Sequence, residues 1–413
     1  MTHALQVLLL LALVIAAAKM AAAAANRIGQ PAVFGEILVG LLLGPTLLDV
    51  LGWPLFAGNG AELGALIGDL AEIGVLLLMF VAGLETDLQE MRRVGSVAFW
   101  AAFGGVMLPF FGGIATAAAF GLPVFWEGVF IGTILTATSV SISAQTLIEL
   151  GALRTREGST ILGAAVIDDV MGILVLSVVV AAAGAAADGF DLAQLGWLVV
   201  RMTAFFVIAI VAGRWFTPLL RWVSGLGVSQ AVLATVLVVA FVYSWAAEYV
   251  GAVAAITGSY LAGVLVAQTP FKKTVDEGVH PLTYSMFVPI FFISIGLEAN
   301  GRDLGERALF SVVLITVAIA TKAIGCGVFA RLTGFTTRES VRVGAGMISR
   351  GEVGLIMASI GLARGIFDDQ VFPSLLLAIL VSTLVTPPLV RLVFRGVIPE
   401  ESAAEPAPAS GSS

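Results

Sequence analysis

The chain is poor in the residues that a water-soluble protein of its size needs. Of its 413 residues only 12% are charged, against 59% hydrophobic, and it holds one cysteine, two histidines and four tyrosines. Soluble globular domains carry about 25% charged and 45–50% apolar residues, so too few polar groups are present to cover a water-facing surface. The shortage excludes a soluble enzyme, a nucleic-acid binder and a secreted disulfide scaffold. Cys326 has no second cysteine for an internal bridge, and His3 and His280 are too few and too scattered for a metal cluster. A net charge of −7 matters less than where the charges sit.

What the chain has in excess is apolar sequence. A helix crosses the hydrocarbon core of a bilayer with about 20 mainly apolar residues. Windows of that length predict thirteen spans, near 4–25, 31–50, 64–84, 94–120, 125–149, 157–187, 192–218, 228–248, 251–268, 281–300, 307–331, 338–365 and 370–395. The expected fold class is an all-α polytopic membrane protein. The first span ends in an alanine run, as a signal peptide does, but it lacks a basic start and exceeds a signal core in length, so it reads as retained.

Basic residues orient the spans. Fourteen, from Arg27, Arg92 and Arg93 through to Arg391 and Arg395, fall in one set of loops and the C-terminal tail, while Arg302, Arg307 and Arg364 fall in the opposite set. The bias places the C-terminus in the cytoplasm and, with an odd number of spans, the N-terminus outside. Lys19 and Arg201 are near enough to span ends to snorkel; Lys322 and Arg350 are not. Glu36, Glu85 and Glu298 read as interfacial, Glu36 with a possible place at an entrance. Residues 398–413 have the composition of a disordered tail, and no soluble regulatory domain is expected.

An internal repeat is visible. GEILVG at 35–40 is echoed by GSYLAG at 258–263, an offset of 223, and GLE at 83–85 by GLE at 296–298, an offset of 213. Seven spans separate the copies, and an odd number inverts the second across the membrane, as in secondary transporters. A similar offset, 211, relates residues 133–143, rich in hydroxyl and β-branched side chains, to 344–354, rich in glycine and carrying Arg350 and Glu352. Both are poor helix interiors. Paired interruptions of this kind point to a binding site, because unwound backbone at mid-membrane is tolerated only where it is buried or lines a cavity.

Asp168 and Asp169 stand in the apolar stretch 161–176. A single Asp at the centre of a span costs about 2.5–3.5 kcal/mol on insertion scales, so two adjacent ones need a strong reason. Neighbours on a helix point about 100° apart, so one can face a cavity while the other meets a partner. Burial and like-charge repulsion both favour a proton on at least one of them, and an oxygen ligand that holds a proton also suits a hard cation. That competition is the simplest chemistry of exchange. Lys322, deep in another span, is the natural partner for one carboxylate; it is either a second proton carrier or a structural counter-charge. Arg350 and Glu352 can neutralise the ends of half-helices. Thr138 and Ser139 offer hydroxyls and carbonyls for a cation or for ordinary helix contacts.

These residues resemble the monovalent cation:proton antiporter-2 family, in particular bacterial Na+/H+ antiporters of the NapA type. The matching stretches are LLLMFVAGLETDL at 76–88, ATSV at 137–140, ILGAAVIDDV at 161–170, Lys322, and MISRGEVGL at 347–355. The resemblance implies a NhaA/NapA-like fold, a homodimer of thirteen-helix protomers with two crossed broken helices, in the bacterial inner membrane. It implies scaffold helices at 1–91, a core domain at 92–187, a linker helix and scaffold at 188–300, and the second half of the core at 301–397. It implies Na+ or Li+ and H+ as partners at Asp169 and Asp168, with Thr138 and Ser139 nearby, Asp168 paired with Lys322, and no cofactor. The Asp-Asp pair resembles the electrogenic branch, and the core is expected to move like an elevator. A K+/H+ antiporter would share these motifs. A carrier of organic solutes would show more aromatic or amide groups at the crossing, and a channel or sensor would need a filter-like repeat or an output domain.

Overall fold

A computed structural model describes residues 2–28, 30–45, 47–86, 88–188, 192–297, 307–363, 366 and 371–395. Among the described residues all regular structure is helical. In chain order the α-helices are α1 (His3–Arg27), α2 (Ala32–Leu43), α3 (Gly60–Glu85), α4 (Leu88–Ala119), α5 (Val129–Thr136), α6 (Val140–Glu149), α7 (Arg156–Asp188), α8 (Leu192–Ala212) and α9 (Phe216–Ser224). They continue as α10 (Ala231–Trp245), α11 (Ala255–Val266), α12 (Lys272–Leu282), α13 (Val288–Leu297), α14 (Ala308–Leu332), α15 (Thr337–Gly346), α16 (Glu352–Ala363) and α17 (Phe372–Val393).

Ten stretches among the described residues are long and apolar enough to cross a membrane, and the chain is a multi-pass membrane protein. The other three expected spans take a different form. α2 and α11 have 12 residues each and rise only about 18 Å at 1.5 Å per residue, short of a bilayer core. α2 stops where Gly44 turns extended (ψ −175°) ahead of Pro45, which disfavours the helical conformation in the residue before it. The third is the interrupted pair α15–α16. Trp197, Trp215, Trp222, Trp245 and Tyr249 are exposed on α8–α10 and the turns beside them, as side chains facing lipid and its interfaces are.

α4 packs along α14 and α7, and α14 along α15 and α17; α3 packs along α11 and α13, α2 along α13 and α1, and α10 along α11. Two of these crossings are glycine contacts. A Cβ on Gly263 of α11 would stand 2.1 Å from Phe80 O of α3, and one on Gly83 2.2 Å from Tyr260 O. Likewise a Cβ on Gly40 of α2 would stand 2.3 Å from Ile293 O of α13, and one on Gly296 2.2 Å from Leu41 N. The repeated motifs therefore meet crosswise, the first of each half against the second of the other.

Glu36 is 4% exposed, held inside by the packing of α2 on α1 and α13, and borders a cavity. Lys19 is exposed and donates to Tyr284 O at 2.8 Å, and half-buried Arg201 donates to Tyr249 O and Val250 O. Glu298, Arg302, Arg364, the side chain of Glu352 and the tail from 398 lie outside what is described.

Candidate functional site

Two helices are broken at the same place. Between α5 and α6, Ala137 and Ser139 are extended (ψ 143° and 107°), and residues 347–351 separate α15 from α16. Hydroxyl side chains that compete for backbone partners explain the first gap. The gaps lie against each other: Ser139 N–H donates to Ser349 O at 2.8 Å, and Ser349 Oγ–H donates to Ser139 O at 2.9 Å. Ser143 Oγ lies 3.1 Å from Ser349 Oγ and donates to Gly346 O. Gly351 leaves the room this needs, since a Cβ there would lie 2.7 Å from Ser139 Oγ.

A broken helix leaves terminal carbonyls without partners, and here two buried cations take the last ones of α5. Arg350 donates to Leu135 O through Nε (3.2 Å) and Nη2 (2.8 Å), and also to Ala318 O and Ile348 O. Lys322 Nζ donates to Thr136 O at 2.5 Å. Thr383 Oγ1 donates to Arg350 O. Glu352 is the first residue of α16, where a negative charge is favoured by the helix dipole.

The adjacent carboxylates of α7 have different partners. Lys322 Nζ donates to Asp168 Oδ1 at 2.9 Å and Oδ2 at 3.1 Å, with both side chains buried. Asp169 accepts at Oδ2 from Thr257 Oγ1 of α11 at 3.2 Å. Thr138 Oγ1 is buried beside the break and has no hydrogen-bond partner among the described residues. The Ser139 hydroxyl lies 3.0 Å from Ser141 Oγ. Gly105 of α4 leaves space for this arrangement, because a Cβ there would stand 2.4 Å from Cys326 Sγ and 3.5 Å from Lys322 Cε.

Two cavities flank the region. One of about 500 Å³ reaches the break at Gly351 and Val353, is bounded by Leu176 and Ile256, and has Glu72 and Glu248 on its wall. The other, about 470 Å³, is lined by Lys19, Glu36, Gln145, Glu149, His280, Tyr284 and Arg391. Among the described residues no cluster of three or more His, Cys, Asp or Glu could hold a resident metal ion.

Asp168, Lys322, Arg350 and Ser139 are thus joined through the two gaps, with Asp169 the neighbour of Asp168 on α7. Sequence reasoning missed Thr257, Ser349, Ser143 and Thr383. Thr257 directly precedes the repeated motif at 258–263, the one signal that could have drawn attention to it.

A family model described as sodium/hydrogen exchanger, transmembrane, matches residues 9–396. The chain is 38% identical over 385 residues to the Na+/H+-K+ antiporter GerN of Bacillus cereus, covering 93% of this chain and 95% of that protein. It is 36% identical over 384 residues to a Na+/H+ antiporter of Enterococcus hirae, covering 92% and 96%. In fold it is similar to the sodium proton antiporter MjNhaP1 of Methanocaldococcus jannaschii, with a TM-score of 0.74 at 16% identity over 96% of this chain and 97% of that one.

Proposed function

Because the chain belongs to the sodium/hydrogen exchanger family of cation:proton antiporters, we propose that it is an electrogenic Na+(Li+)/H+ exchanger. In this reading protons and the cation compete for Asp169 and Asp168. The observation that carries it is the division of labour between neighbouring carboxylates. Asp168 is matched by the full charge of Lys322, whereas Asp169 accepts from a neutral threonine hydroxyl, which a cation or proton can displace. Thr138 Oγ1, buried with its lone pairs unused, and Ser139 are the nearest neutral oxygens for the cation.

Electrogenic exchange needs more than one proton for each Na+. One is carried on Asp169. The Lys322–Asp168 pair is either the source of a further proton or a structural counter-charge. Arg350, with Glu352, compensates the half-helix ends permanently and carries nothing. An empty, doubly charged site is costly to move through a low-dielectric barrier, so the site crosses only when loaded and leak is suppressed.

In the same reading α4–α7 and α14–α17 form the core that moves, with bounds near 92–187 and 301–397. The remaining helices, within 1–91 and 188–300, form a scaffold that pairs with a second copy. The N-terminus lies outside and the C-terminus in the cytoplasm, as the basic loops suggest. The printed name of the Bacillus cereus relative includes potassium, which makes K+/H+ exchange the second reading.

Proteoliposomes with an internal pH dye test the proposal, with Na+, Li+ and K+ gradients and with the membrane potential clamped or free. Na+- or Li+-driven proton movement that responds to potential is the expected result. Exchange insensitive to potential would remove the electrogenic mechanism, exchange with K+ alone would favour the second reading, and normal exchange by Asp169→Asn would show that the site lies elsewhere.

A further inference from the structure

One contact between the two helix groups has no part in holding an ion. The N-cap residue of α2 is Pro31, which offers no side-chain acceptor, so the first amides of the helix need one from elsewhere. Glu149, the last residue of α6, supplies it. Its Oε2 accepts from Ala32 N–H at 2.7 Å, the Val33 amide also donates to the carboxylate, and Gln145 Nε2 donates to Oε1 at 2.8 Å. A carboxylate is unfavourable at the C-terminal end of its own helix and favourable at the N-terminal end of another. Glu149 is therefore stabilised by docking on α2 and loses that stabilisation on leaving.

The other short helix is met in the same way. α11 begins at Ala255, 223 residues after Ala32, which is the offset of the repeated motifs, and its N-cap, Ala254, has no side-chain acceptor either. Thr257 in its first turn donates to Asp169 of α7. Each short helix thus presents its first turn to a carboxylate of the opposing group.

The cavities break this symmetry. The 500 Å³ cavity is lined by Gly351 and Val353 of the crossing, whereas the 470 Å³ cavity, at the α2 end, is lined by Gln145, Glu149 and Leu150 but by no residue of either gap. Among the described residues the first cavity reaches the crossing and the second does not, and Glu149 lines the second. α6 connects the two as a strut of ten residues without glycine or proline, about 15 Å long. Lys19, Glu36, His280, Tyr284 and Arg391 share the cavity with Glu149, so water and polar groups can receive its carboxylate when it departs.

We infer that Glu149 is a positioning residue that docks α6 on the N-terminus of α2 and holds the ion site closed on that side. This rests on the reading of a core that moves against a scaffold. Breaking the contact shifts the population away from the state in which the 500 Å³ cavity is open.

Gly68 of α3 lines that open cavity, and a Cβ added there meets nothing within 4 Å. A Gly68→Cys thiol can therefore report on opening by its rate of reaction with a charged methanethiosulfonate reagent. The parent chain, whose one thiol at Cys326 is buried, supplies the blank. Adding Glu149→Ala is expected to slow labelling at least threefold, with partial recovery in Glu149→Gln, which keeps an acceptor oxygen. Hydrogen exchange of the amides at 32–36 should rise in Glu149→Ala while that of α4 and α14 stays unchanged. Labelling at the parent rate would overturn the inference, even with faster amide exchange, because the bond would then cap α2 without holding the core. If Glu149→Ala fails to fold, Glu149→Gln against Glu149→Asp decides by the same labelling rates. The readout needs no ion, so a Gly68→Cys protein that exchanges no cation in liposomes would refute the proposed function and leave the labelling result to decide the docking role.

Discussion

Lys322 and Asp168 form a two-pronged ion pair shut away from solvent, with Nζ 2.9 Å from Oδ1 and 3.1 Å from Oδ2. The third donor of the ammonium goes to Thr136 O, so all of its hydrogen-bonding capacity is spent at the end of α5. Lys322→Gln leaves a buried carboxylate without its counter-charge, which typically costs about 3–5 kcal/mol. Thermal unfolding in detergent should show a clear fall in Tm. The double variant Lys322→Gln/Asp168→Asn should recover part of that loss, because no uncompensated charge remains. A double variant no more stable than Lys322→Gln would mean that the pair itself is not what the lysine stabilises.

Thr138 separates ligation from packing. Its hydroxyl is buried with no hydrogen-bond partner among the described residues, so Thr138→Val removes none of the described bonds, and unfolding should change by less than about 1 kcal/mol. If Oγ1 is a ligand in the loaded state, the same change should weaken Na+ binding by about tenfold, on the scale of one contact to a charged group, about 1.5 kcal/mol. Measured KM for Na+ should rise while Tm holds. A fall in Tm with unchanged KM would assign the hydroxyl to packing alone.

Much of this arrangement was legible in the sequence, for reasons that also mark the limits. Asp168, Asp169 and Lys322 stand out because charge in an apolar stretch is costly, and the gaps stand out because serine, threonine and glycine are poor helix interiors. Arg350 was visible as a charge, but its partners were not: Leu135, Ala318 and Ile348 accept through backbone carbonyls, which every residue has. Thr257 is one of three hydroxyl-bearing residues in α11, with Ser259 and Tyr260, and only its place directly before the repeated motif distinguishes it. α2 was read too long because a hydropathy average runs on through an apolar loop, although Gly44 and Pro45 already marked its end. Glu36 was placed at an interface because it lies near the end of an apolar run, a position that says nothing of the helices packed around it.

The crosswise glycine contacts offer a test of packing apart from ion chemistry. A methyl group on Gly263 would meet a backbone oxygen at 2.1 Å, and backbone cannot swing aside as a side chain can. Gly263→Ala should therefore force α3 and α11 apart and cost about 1–3 kcal/mol, the usual range for overpacking. Gly68→Ala, in the same helix layer but facing open space, should cost nothing and serves as the control. Equal melting of the two variants would show that α3 and α11 do not meet as described.

Thr257 yields the sharpest functional prediction, because its hydroxyl occupies the carboxylate oxygen that the proposed function assigns to the cation. Thr257 Oγ1 donates to Asp169 Oδ2 at 3.2 Å, and that bond stabilises the ionised carboxylate by about 1 kcal/mol. A cation or a proton must displace the donor, so the bond works against both. Thr257→Val keeps the shape and removes the hydrogen, so the cation should bind more tightly. At alkaline pH, where protons compete least, the KM for Na+ should fall by about fivefold, the equivalent of 1 kcal/mol. Thr257→Ser, which restores the hydroxyl, should return KM to its starting value. A merely structural threonine would lower activity in the valine variant without moving KM, and serine would not distinguish itself. An unchanged KM in the valine variant would place Thr257 outside the competition and leave its contact with Asp169 as packing between α11 and α7.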